Sequence, residues 1–256
     1  MKHSWRLVTA LLMGFFVLTK TELCSGETND PWSFDIDPYL WLASYEGTFG
    51  LPAVPPDIPP IHSNSESPFS THISGAAMLA AQVHYNQVGL FLDGAWLRMK
   101  TEGDSGSSLY SGTEIKSDIA YGSAALSYRL PQFANLQCDL FAGARVWYFG
   151  NTIDFESGAA PGFTAEGSRT WVDPIVGAAL RYDVTPHWFG TVLGDAGGFG
   201  AGSDLTWNVF GGVGYQFTTC FSASLGYRFL HLDYNKDQFE ANVDVRGFLV
   251  QMGIHF

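Results

Sequence analysis

Charge is scarce in this chain, and positive charge is scarcest. Asp, Glu, Lys and Arg make up 15% of the 256 residues, against roughly 25% in an ordinary globular protein. Thirteen residues are basic and 25 acidic, for a formal net charge of −12. Phosphate contacts need Lys and Arg, so nucleic acid is excluded as a partner. Cysteine is nearly absent, with three residues at 24, 138 and 220. No Cys-x-x-Cys or His-x-x-x-His spacing occurs, so the sequence calls for no metal or other cofactor. Cys138 and Cys220 start two separate strands and point to opposite faces. A disulfide needs Cα atoms within about 7 Å, so both are read as unpaired. Long apolar runs are missing too. The one run, Leu7 to Thr19, has 13 residues, short of the ~20 that a membrane helix needs.

That run follows Lys2 and Arg6, and the combination predicts a secretory signal peptide over residues 1–26. Cys24 and Gly26 supply the small residues for cleavage after Gly26. Leu23 stands where a lipobox wants a small residue, which argues against lipidation. Cleavage removes Lys2, Arg6, Lys20 and Glu22, leaving 10 basic and 24 acidic residues and a charge of −14 over 27–256.

Glycine (29 residues) and aromatics (15%) are plentiful. With no spanning helix available, a membrane location requires a closed β-barrel, whose signature is recurring alternation over about 9–11 residues. The pattern recurs about ten times. Phe34 to Leu42, Ile73 to Tyr85, Val88 to Met99, Glu114 to Arg129, Cys138 to Phe149, Thr170 to Asp183, Trp188 to Gly197, Leu205 to Phe217 and Phe221 to Tyr234 precede a terminal strand at 247–256. In Leu205 to Phe217, for example, Trp207, Val209, Val213 and Tyr215 alternate with Thr206, Asn208, Gly212 and Gly214. Short turns at 86–87, 130–136, 184–187 and 218–220 alternate with long loops at about 47–71, 101–113, 150–169, 197–204 and 235–240. This asymmetry belongs to a transmembrane up-and-down antiparallel barrel. An even strand number follows if both termini lie in the periplasm, so eight and twelve are the fallback counts. Trp41, Tyr45, Trp96, Trp171, Trp188 and Tyr234 are candidates for two interfacial aromatic belts. The loop at 47–71 carries six prolines and reads as extended chain.

Phe248, Val250, Met252, Ile254 and Phe256 share one face of the terminal strand. This ending resembles the last strand of bacterial outer-membrane barrels, which implies recognition by the barrel-assembly machinery. Trp171-Val-Asp-Pro-Ile-Val-Gly177, the run Gly194 to Trp207, and Gly226-Tyr-Arg228 also resemble a little-characterised family of bacterial outer-membrane β-barrels. That family is similar in design to the small barrels of the outer-membrane protein A and W type. The resemblance implies an outer-membrane location, with lipid and lipopolysaccharide as surroundings, and no chemistry.

Three readings of the chemistry remain. Arg145, Arg181 and Arg228 fall on the inward faces that also hold Asp35, Asp37, Asp93, Asp173 and Asp195. Buried charges must be paired, so Arg145, Asp173, Arg181, Asp195 and Arg228 are predicted to form one lumenal network. A barrel filled this way is a non-enzymatic structural or surface protein. A constriction that selects small or hydrophobic solutes is the alternative. The third reading is a rim hydrolase using His231 and Asp233 near Ser203 and Asp204, which matches no catalytic signature. The Gly-rich run Gly197 to Asp204 lacks the spacing of a nucleotide site and is a single copy of a calcium-repeat-like unit, so it reads as a tight hairpin.

Overall fold

The computed structural model describes residues 31–49, 61–65, 72–103, 110–159, 161–236 and 239–256. The expected signal peptide at 1–26 and residues 50–60 and 66–71 of the proline-rich segment lie outside them. The described residues form eleven strands and no helix. They are β1 (Trp32–Phe49), β2 (Ile61–Ser65), β3 (His72–Tyr85), β4 (Val88–Gly103), β5 (Tyr110–Arg129), β6 (Leu136–Ser157), β7 (Phe163–Asp183), β8 (Trp188–Gly197), β9 (Leu205–Gln216), β10 (Phe221–Lys236) and β11 (Phe239–His255).

From β3 to β11 each strand pairs antiparallel with the next, β1 pairs with β3, and β11 returns to β1 to close the sheet. The closing ladder runs from Asp35 opposite His255 to Phe49 opposite Ala241. The barrel therefore has ten strands, because β2 only folds back along the upper end of β1. On the same side as β2, away from β11, β1 pairs with β3 from Trp32 to Pro38. Above that, the Trp41 amide donates to the Met78 sulfur, 3.3 Å away.

Strands β4 to β7 run well past the expected ends. Of the segments read as loops, 101–103 and 110–113 belong to the paired strands β4 and β5, and 150–157 and 163–169 to the paired strands β6 and β7. Charge takes there the outward face that lipid fills lower down, as at Glu114, Lys116, Asp154 and Glu156, so the signature of a lipid-facing strand stops short of these ends.

The outer wall is apolar through the middle. Leu126 is 70% exposed, Val213 60% and Phe248 59%. Each such side chain forgoes ~1.5–3 kcal/mol of burial in water, so a continuous belt of them suits hydrocarbon. The belt has a sharp upper edge. On the outward face of β5, Leu126, Ala124, Gly122 and Ala120 give way to Asp118, Lys116 and Glu114. There Arg98 meets Asp118 at 2.7 Å, Lys100 meets Glu114 at 2.7 Å, and Lys116 bridges Glu114 and Asp154.

At the short-turn end, Trp32 packs on Tyr85 and Trp188 on Tyr215, all facing outward. Trp188 thus sits in a belt, as expected. Trp41, Trp171 and Tyr234 do not, being buried inside the lumen. Their strand neighbours, such as Leu40 and Leu42 beside Trp41, take the lipid-facing positions.

Cys138 is free. Cys220 is disulfide-bonded, which corrects the reading of that residue as unpaired. Spacing between strands 138 and 220 excluded only their mutual bridge.

Candidate functional site

Alternation sends polar and aromatic side chains inward from every strand, and they stack in layers along the lumen. The middle layer is charged. Arg145 (β6) donates from Nε to Ser123 at 2.9 Å and from Nη2 to Asp195 (β8) at 3.0 Å. Its Nη1 lies 2.9 Å from Asp195 Oδ1 without hydrogen-bond alignment. Asn208 (β9) donates to Asp195 at 2.9 Å and accepts from Arg228 Nε (β10) at 2.7 Å. Arg228 reaches Asp93 (β4) at 2.7 Å. Asp93 also accepts from Tyr39 (β1) and Tyr121 (β5), at 2.8 and 3.1 Å. The chain of contacts ties seven strands across the lumen, with two arginines balanced by two aspartates. Arg145 is 1% exposed, Arg228 4% and Asn208 0%. Such burial is tolerable only because each charge meets an opposite one.

Of the five residues predicted to form the network, the structure brings together Arg145, Asp195 and Arg228. Asp173 and Arg181 lie elsewhere. Cross-strand position explains both. Asp173 faces Arg145 across β6–β7, but nearer neutral donors claim it. Arg181 sits four inward positions closer to the turns. Sequence reasoning missed Tyr39, Tyr121, Ser123 and Asn208 as members and left Asp93 out of the set, although its inward face was legible.

Above the network, toward the long hairpins, lies an aromatic cap. Trp171 packs on Tyr234 at 4.1 Å between ring centroids and on Phe149 at 5.4 Å. Phe239, Leu230 and Leu232 complete it. The Gly-rich loop seals its edge. Gly198 and Gly200 adopt φ of 83° and 78°, a left-handed conformation that glycine supplies without strain. This folds Ser203 inward to full burial. Asp173 then accepts from the Ser203 amide at 2.6 Å, the Ser203 hydroxyl at 2.7 Å and Trp147 Nε1 at 2.8 Å, while Trp171 Nε1 donates to Ser203 Oγ at 2.8 Å.

The rim residues do not meet. His231 is on the outer wall, 2.7 Å from Asp244, while Ser203 is bound to Asp173 inside. A strand alternation separates them, so the expected rim set is not assembled. Among the described residues no cluster is suited to a metal ion.

Below the network, Phe91 stacks on Phe141 at 4.9 Å, and with Ala125 and Ile175 they form an apolar floor. Beneath that floor a polar cup of about 800 Å³ opens at the short-turn end. Arg129 grips Asp139 through two hydrogen bonds of 2.8 and 2.9 Å. Arg181 bonds Asp183 at 3.0 Å and Gln216 at 3.2 Å, with its guanidinium 3.7 Å over the Phe189 ring. At the seam between the first and last strands, Asp35, His255 and Ser222 line the same cup.

No protein-family model matches the sequence, and no curated protein matches it. Solved structures of similar fold include the outer-membrane protease OmpT from Escherichia coli, at 11% identity and a TM-score of 0.46, covering 89% of this chain and 97% of that one. The attachment invasion locus protein Ail of Yersinia pestis gives 14% identity, a TM-score of 0.32, and coverage of 88% and 98%. The toluene transporter TodX of Pseudomonas putida gives 9%, 0.33, and coverage of 87% and 88%. At these identities the likeness is one of architecture.

Proposed function

We propose that this protein is an outer-membrane barrel that does not conduct, and that its work is done at its two ends rather than through its lumen. The observation that carries this reading is the buried Arg145–Asp195–Asn208–Arg228–Asp93 chain, closed above by the aromatic cap and below by the Phe91–Phe141 floor. Water and ions need a continuous polar path, and two apolar layers interrupt it. The apolar belt supports a membrane location. The long charged hairpins on one side and short turns on the other support an orientation with the hairpins outside and the cup toward the periplasm. The hairpins then stand as a rigid crown above lipopolysaccharide. Export by the signal peptide and insertion by the assembly machinery through Phe248 to Phe256 belong to the same reading.

Planar-bilayer recording of the refolded barrel tests it. The wild type should show no conductance steps, and steady ohmic current would refute the sealed lumen. The Arg228→Ala variant, which removes the tie between Asn208 and Asp93, should leak or fail to assemble.

A further inference from the structure

Three adjacent strands meet at the seam that closes the barrel. β1 brings Asp35, β11 brings His255 directly opposite it, and β10 brings Ser222. Asp35 Oδ1 lies 2.6 Å from His255 Nδ1, and His255 Nε2 lies 2.9 Å from Ser222 Oγ. A carboxylate only accepts, so Nδ1 carries the proton and Nε2 is left as an acceptor aimed at the serine hydroxyl. That order, carboxylate to Nδ1 and Nε2 to hydroxyl, is what a serine nucleophile, its base and the base's orienting group require.

The backbone makes room for this arrangement. Gly253 faces Ser222 across β10–β11. A Cβ at Gly253 would fall 3.0 Å from both His255 Nε2 and Asp37 Oδ1 and would collide with Ser222 Oγ. The group is also reachable. The side chains of His255 and Asp35 are 24% and 26% exposed, and all three residues line the cup. Ser224, one step further in and opposite Gln251, offers an O–H donor for an oxyanion, while the Gln251 side chain is held by a hydrogen bond to Asp37.

We infer that Ser222, His255 and Asp35 form a hydrolytic site that cleaves short acyl esters of hydroxyl-rich alcohols. Ser222 Oγ attacks the ester carbonyl carbon while its proton passes to His255 Nε2. The carbonyl electrons move onto oxygen and return as the C–O bond to the alcohol breaks. The alcohol leaves with the proton from Nε2. Water then adds to the acyl-serine, giving its proton to Nε2, and the proton returns to Ser222 Oγ as the acid departs. Ester and water become acid and alcohol. Asp35 is a positioning residue that fixes the tautomer and supports the imidazolium. The cup chooses the substrate. Gln82, Asn135, Gln137, Gln216 and Gln251 line it with amides, which hydrogen-bond hydroxyls. Its one large aromatic face, Phe189, is covered by Arg181, so a long acyl chain finds no groove. A volume of about 800 Å³ accommodates a sugar-sized alcohol.

The test is fluorophosphonate labelling of the folded barrel in detergent, read by peptide mass spectrometry, with turnover of acetyl and decanoyl 4-nitrophenyl esters. Ser222 should be labelled and the acetyl ester preferred. Ser222→Ala should abolish both. His255→Gln should cut the labelling rate by about a hundredfold or more, and Asp35→Asn by about tenfold or more, with heat-modifiable migration retained. His231→Ala, on the outer wall, should change nothing. An unlabelled Ser222 in the folded wild type, or labelling that survives His255→Gln, would overturn the site and leave the three residues as a latch on the seam. A preference for the decanoyl ester would overturn the substrate assignment. The inference uses the cup of the proposed function but not its sealed lumen: a conducting barrel that labels refutes only the seal, and a silent barrel that does not label refutes only this site.

Discussion

At the hairpin end of the lumen, Asp173 holds Ser203 through a hydroxyl and an amide, and both residues are 0% exposed. At the turn end, Asp35 holds Ser222 through a histidine, and the pair lines an open cup. Both ends couple a carboxylate to a serine, yet only one can do chemistry. Asp173 touches the serine directly and accepts from its amide, its hydroxyl and Trp147. Its hydrogen bonds are spent on fastening a loop, and no base stands between acid and hydroxyl. At the turn end the interposed imidazole is a base with a free path to solvent. The same residue types become a fastener where water is excluded and a candidate reaction site where it is admitted.

The largest effect should come from the layer between the two ends. Arg228→Ala strips Asp93 of its cation in a fully buried setting, and breaking such a pair costs ~3–5 kcal/mol. Urea unfolding followed by heat-modifiable migration should show a large loss or no folded barrel. A midpoint unchanged from wild type would mean that the network does not hold the seven strands together. His255→Gln at the turn end is expected to shift the midpoint far less, since the pair is partly exposed and such pairs contribute ~0–1 kcal/mol.

A middle-sized effect should separate the two carboxylates themselves. Asp173→Asn leaves a buried amide or hydroxyl without its acceptor, at ~1–3 kcal/mol. Asp35→Asn faces water that can substitute for it. Proteolysis of the 198–204 loop should accelerate in the first variant and not in the second. Equal loop cleavage in the two would contradict the division of roles. Gly253→Ala should be smaller still in stability. The added methyl pushes Ser222 Oγ aside, so labelling of Ser222 should fall while the unfolding midpoint barely moves.

How much of this was legible follows from what each reading needs. The barrel, its inward faces and the location of Arg145, Asp195 and Arg228 needed only alternation along single strands, and strands such as Leu205 to Gln216 display it plainly. The grouping of residues needed register between strands and the choice among competing donors. Arg181 shares an inward face with Arg145 but lies deeper toward the turns, while Asp173 stands directly opposite Arg145 and is taken by Ser203 and Trp147. Asp35 and His255 stand 220 residues apart. Only the closing ladder, in which the first strand pairs with the last, makes them neighbours. The rim set around His231 failed for the opposite reason: residues close in the hairpin fell on opposite faces of the wall. The strand extensions at 110–116 and 150–157 were hidden because charge occupies the face that lipid fills lower down.

The smallest expected effect lies in that crown. The Lys100 and Lys116 ammonium groups hold the Glu114 carboxyl below the ordinary carboxylate range, and Thr164 with Lys116 does the same for Asp154. Their folded values are depressed. The stabilisation is therefore present above the unfolded carboxylate pKa and is lost as pH falls through the folded values. Both groups are in contact with water, so screening keeps the effect small. Hydrogen exchange at the outer end of the β5–β6 ladder, around Glu114 and Asp154, should quicken modestly below that range while the buried middle layer is unchanged. Faster exchange in the middle layer first would reverse the ranking of the two regions.

One digest decides between the two ends. After the folded wild-type barrel is treated with a fluorophosphonate, both serine peptides can be read in the same mass spectrum. The label should be found on Ser222, where histidine stands between serine and aspartate, and not on Ser203, where aspartate touches serine directly. Label on Ser203, or on neither serine, would contradict the account.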